Sequence, residues 1–134
     1  MKKRLALVLT AVLMLTCLTA CDRYTGRVAR EDENNCNVFT LDEFSGTYKV
    51  RLKRTDLDEG CIYFRANLTQ GTVSVSYHMG GNTLVHNPEP LFTAEVGKPL
   101  DGHNGYIEDG TVSIIFEANE PVTGEVIISF VPIL

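Results

Sequence analysis

"TVSIIFEANEPVTGEVIISF", residues 111 to 130, is the stretch whose reading decides the fold. Val112, Ile114 and Phe116 alternate with other residues, and Val126, Ile128 and Phe130 repeat the pattern, so the apolar period is two rather than 3.6. Residues spaced by two share one face of a pleated strand. The stretch therefore predicts two half-buried strands, 111–118 and 125–130, separated by a turn at Thr123-Gly124.

The same period extends outward through the chain. "TYKVRLK" (47–53) sets Tyr48, Val50 and Leu52 against Thr47, Lys49, Arg51 and Lys53. "CIYFRANL" (61–68) places Ile62, Phe64, Ala66 and Leu68 on one side, and "TVSVSYH" (72–78) does so with Val73, Val75 and Tyr77. Shorter candidates lie at 37–41, 83–86 and 91–95. Turn signals fall at Asp58-Glu59-Gly60, Gln70-Gly71, Gly80-Gly81-Asn82, Asp101-Gly102 and Asp109-Gly110. No helical stripe, repeat or low-complexity segment follows residue 20. The pattern predicts an all-β domain, an antiparallel β-sandwich of about seven or eight strands, with a small β-barrel as the alternative. In general layout it resembles the immunoglobulin-like and jelly-roll modules of bacterial lipoproteins. The chain has no Trp, so the Cys-Trp-Cys signature of immunoglobulin domains is missing and the topology stays open.

The N-terminus has a different composition. Lys2, Lys3 and Arg4 precede 16 uncharged residues, Leu5 to Ala20, which as a helix would span roughly 24 Å, short of a ~30 Å hydrocarbon core. A basic head, a short apolar middle and small residues at its end describe an export signal. Leu18-Thr19-Ala20-Cys21 resembles the lipobox of bacterial lipoproteins, whereas Cys17 is preceded by a Thr that the pattern does not favour. The resemblance implies removal of residues 1–20, lipidation of Cys21 with a diacylglyceryl group, and a lipid anchor in the cell membrane on its extracytoplasmic face. In a host with two membranes, Asp22 resembles a signal for retention at the inner one, on the periplasmic side; with one membrane the protein would sit at the cell surface.

Loss of three basic residues leaves nine Lys and Arg against 17 Asp and Glu, a net charge of −8. That balance speaks against nucleic acid as a partner and against lying flat on an anionic bilayer. The expected organisation is a signal (1–20), a lipidated N-terminus and flexible tether (21–35, the tether being "DRYTGRVAREDENN", 22–35), and one β domain (36–134). Cys36 and Cys61 remain as an even pair in an exported chain, which predicts a disulfide closing a loop of about 26 residues, with two free thiols as the alternative.

Candidate chemistry is sparse. His78 and His86 flank the Gly80-Gly81-Asn82 turn, where an odd-length loop would put them on one face, close enough to share a metal. Asp56, Asp58, Glu59, Asp101, Glu108 and Asp109 cluster in turn-like stretches, but they lack the spaced ladder of an EF-hand, and turn formation accounts for them. No Gly-x-Ser-x-Gly elbow is present. No metal, cofactor or catalytic residue is expected. Two features suit recognition: the outward run Lys49, Arg51, Lys53, which would also protect a strand edge, and His103, Asn104 and Tyr106 in the loop-like stretch 85–110. The expectation is a non-enzymatic binding or structural module whose partner is an envelope glycan, wall polymer or protein. The alternative is a metal-dependent or hydrolytic protein, which requires three of His78, His86, His103, Asp101 and Glu108 to converge.

Overall fold

The two alternating runs of residues 111–130 belong to one strand. In the computed structural model, which describes residues 23–33, 35–53, 60–79, 88–107 and 111–132, the described chain forms seven strands. These are β1 (Tyr24–Glu33), β2 (Cys36–Lys53), β3 (Gly60–Gln70), β4 (Thr72–Met79), β5 (Glu89–Glu95), β6 (Leu100–Ile107) and β7 (Thr111–Pro132). The signal segment, Cys21, Asp22, Arg54, His86, Glu108 and the 83–86 strand candidate lie outside the described residues. No helix among the described residues is long and apolar enough to cross a membrane.

β2 and β7 pair with each other from Cys36↔Ser129 to Lys53↔Thr111, and their register shifts between Leu41 and Gly46. On either side of that bend β7 changes its other neighbour. Its first half pairs with β4, and its second half pairs with β3. One layer is therefore β5-β4-β7-β2 and the other β6-β3-β7-β2-β1, all antiparallel. β3 and β6 lie in one layer while β4 and β5, between them in sequence, lie in the other. This alternation is jelly-roll connectivity and resolves the topology that the sequence left open.

Thr123-Gly124 is not a hairpin turn, because β7 runs through it. Gly124 is there for close approach: a Cβ would stand 2.5 Å from the Asn67 carbonyl oxygen on β3. A glycine in an alternating run marks either event, and only the register tells them apart. Gln70-Gly71 does turn the chain, between layers, with Gly71 at φ +79° and no room for a Cβ beside the Pro121 carbonyl oxygen.

The layers meet through aromatic rings. Phe39 of the five-stranded layer packs on Phe116 of the other at 4.9 Å between centroids, and Phe64 stacks on Phe92 at 4.5 Å. Around them the alternating residues named above, Ile62, Val75, Val112, Ile114, Val126 and Ile128 among them, are buried. Asn37 is the one polar side chain besides Ser113 that is buried among the described residues, and its Nδ2 donates to the Ile128 carbonyl at 3.2 Å.

The expected tether is corrected over its described part. Residues 24–33 are β1, paired with β2 from Tyr24↔Gly46 to Glu33↔Cys36. An edge strand buries only one narrow row, and here Val28 packs against the core while the Tyr24 ring meets Phe44 at the bend. A charged composition is enough for that role when a partner strand supplies the hydrogen bonds.

Candidate functional site

Strand alternation and register together lay out the outer surface of the five-stranded layer. Directly paired residues share a face, so one row across the sheet reads Glu33, Cys36, Ser129, Tyr63, His103. The next row reads Glu31, Val38, Ile127, Arg65, Asp101. Val38 and Ile127 are half-buried, while Arg65, Asp101 and His103 are exposed.

At the β3–β6 side of this face three side chains lock together. Tyr63 Oη donates to Asp101 Oδ1 at 2.5 Å, and Arg65 donates to Oδ2 from Nη2 at 3.0 Å and from Nε at 3.3 Å. Both carboxylate oxygens are engaged, by a cross-strand partner and a diagonal one. The hydrogen bond from Tyr63, and then those from Arg65, hold the Asp101 carboxyl below its ordinary range. The same bond to Asp101 raises the Tyr63 phenol, which therefore stays protonated and donating at neutral pH. At the opposite, β1 side lies an open depression of about 370 Å³ lined by Glu31, Asp32, Glu33, Cys36 and Val38.

His103 stands beside Tyr63 on this face. It does not lie in a loop: within the loop-like stretch 85–110 the expected strand at 91–95 is β5, and the residues after it form β6, with Asn104 opposite Ile62 and Tyr106 opposite Cys61. Asp101-Gly102 likewise falls inside a strand. Gly102 faces the Phe64 ring, where a Cβ would stand in ordinary van der Waals contact at 3.4 Å.

Cys36 and Cys61 are free thiols, which corrects the expected disulfide. They lie on this same outer face, Cys36 level with Ser129 and Cys61 level with Val131, but with β7 between their strands. Two strand spacings across and two residues along put their Cα atoms about 12 Å apart, beyond the ~7 Å limit for a bridge. An even cysteine count cannot reveal an intervening strand.

Lys49, Arg51 and Lys53 point outward from the other layer, on the half of β2 that only β7 pairs. Arg51 is level with Ser113 and His78, so His78 and His103 lie on the outer faces of opposite layers. Among the described residues no three His, Cys, Asp or Glu come together as metal ligands. No sequence motif marks Tyr63 or Arg65. The alternation of "CIYFRANL" does turn them outward, but nothing local joins them to Asp101, 38 and 36 positions further on.

No protein-family model and no curated protein matches the chain. Among solved structures, the carbohydrate-binding module described in "CBM4 structure and function" is similar at 13% identity, over 87% of this chain and 81% of that one, with a TM-score of 0.42. Two structures of a Drosophila melanogaster CENP-C domain are similar at 11% and 12% identity, over 87% and 80% of this chain and 81% and 75% of theirs, each with a TM-score of 0.28. The architecture of this chain, a jelly-roll β-sandwich, rests on its own strand pairing.

Proposed function

We propose that this chain is a lipid-anchored lipoprotein of the extracytoplasmic face of a bacterial membrane, and that its β-sandwich binds an envelope glycan without catalysing a reaction. The observation that carries the binding role is the exposed Tyr63–Asp101–Arg65 cluster beside His103, mounted on two adjacent strands. A hydroxyl-rich ligand needs donors and acceptors held in fixed directions next to a ring, and this cluster offers them without loop motion. The lipobox-like Leu18-Thr19-Ala20-Cys21 supports the anchor and the location, and two or more acyl chains would make the attachment stable.

The test is binding of the acylated full chain, in detergent, to immobilised wall and envelope glycans, with intact mass establishing the lipid on Cys21. Tyr63→Phe and Asp101→Ala are expected to weaken binding by about tenfold or more, the scale of one hydrogen bond to a charged group. Lys98→Gln should leave binding unchanged. Equal binding by all variants, or none by the parent chain, would overturn the reading.

A further inference from the structure

The Arg23 carbonyl accepts a 2.8 Å hydrogen bond from the Thr47 N–H, and the Tyr24 ring packs against Phe44 and Tyr48 at 5.7 and 5.5 Å. The chain is thus clamped to β2 at its bend. Cys21 is two residues upstream, within about 7 Å of Arg23 even when fully extended. A lipid on Cys21 would draw this corner of the domain onto the bilayer, not to the end of a long leash.

The positive charge lies along the two strands that leave that corner. The described residues include eight Lys and Arg, and six of them (Arg23, Arg27, Arg30, Lys49, Arg51 and Lys53) sit on β1, just before it, or on the free half of β2. These two stretches are the edge strands of their layers on one lateral side of the sandwich. Acidic residues on the same strands are Glu31, Asp32 and Glu33 at the far end of β1, with Asp32 paired to Arg30 at 2.7 Å, and Asp42 and Glu43 at the bend. The rest of the described domain carries six acidic residues against Arg65 and Lys98. Lys49, Arg51 and Lys53 repeat every second residue, a row about 13 Å long on one face.

We infer that this lateral edge rests on anionic phospholipid headgroups, an inference that builds on the lipid anchor proposed above. The short leash holds the basic row at the surface, and the acidic remainder turns outward. Each Lys or Arg near such a surface strengthens attraction by about fivefold. In this orientation β5 and β6, the edge strands of the opposite side, face away from the membrane. The Tyr63–Asp101 cluster then lies toward the side open to a ligand.

The acylated full chain would be reconstituted in phosphatidylcholine vesicles with and without phosphatidylglycerol, and its lysines labelled with an amine-reactive reagent read out by peptide mass spectrometry. Lys49 and Lys53 are expected to react about fivefold more slowly on the anionic vesicles. Lys98, in the turn between β5 and β6, should react equally on both. Arg27→Gln combined with Arg51→Gln should remove much of the protection of Lys49 and Lys53. Equal labelling on the two vesicle types, with the acyl mass present, would overturn this inference alone. Protection by a soluble wall polyanion but not by vesicles would overturn it in favour of a polymer ligand. A product without the acyl mass would overturn the anchor first, and this inference with it.

Discussion

Asp101 shows how much a single exposed carboxylate gains from its register. Its folded pKa is depressed, so the stabilisation it contributes is complete above the ordinary Asp range and is lost as pH falls through the lower folded value. An NMR titration of the Asp101 carboxyl is expected to give a midpoint below 3.8, and Tyr63→Phe should move it back toward 3.8. The salt bridge to Arg65 is exposed on both sides, so the expected change is in titration and ligand binding more than in stability. Buried rings behave differently. Phe116 is fully buried and touches Phe39 and Tyr48, so it holds the two layers together. Phe116→Ala is expected to cost about 3 to 5 kcal/mol, visible as a lower urea midpoint.

At the scale of elements, the bend shared by β2 and β7 is the decisive feature. Thr123 ties three strands there: its Oγ1 accepts from the Glu43 N–H at 3.1 Å and donates to Gln70 Oε1 at 2.9 Å, and its carbonyl accepts from Thr69 Oγ1 at 3.3 Å. The first of these bonds pins Glu43, which adopts φ 51° where the register shifts. Thr123→Val is expected to cost about 1 kcal/mol through the lost hydroxyl bonds, with the urea slope unchanged. Gly71→Ala should cost more, about 2 kcal/mol or above, because it adds left-handed strain to a backbone clash. β1 supplies a separate test. As a paired strand, its hydrogen-bonded amides between Arg27 and Glu31 should exchange at least about 100-fold more slowly than those of a tether would.

At the scale of the whole molecule, a jelly roll brings together residues far apart in sequence and separates near ones. Cys36 and Cys61 illustrate the separation, with a strand drawn from the C-terminal end lying between them. Alkylation of the unreduced, denatured protein is expected to modify both thiols, and intact mass would read this directly. Charge illustrates the gathering. A net charge of −8 for the chain without residues 1–20 argues against an anionic surface only if the charge is spread evenly. The fold instead places six of eight described basic residues along one lateral side.

Alternation at period two needs only neighbouring residues, so the all-β class, the inward faces of β3, β4 and β7 and the outward basic run were all readable along the chain. The lipobox-like segment is equally local and determined the expected address. What the chain alone left undecided depends on which strand lies beside which. Thr123-Gly124 reads as a turn until β3 is seen passing within contact of it, a charged stretch reads as a tether until β2 offers it an edge, and Asp101 reads as a turn residue until Tyr63 and Arg65 face it across the sheet. Hydrogen bonding between strands carries no sequence signal of its own, because every backbone offers the same donor and acceptor. Packing of the two layers into one aromatic core selected the partners, and with them the surface that the proposed ligand and membrane would meet.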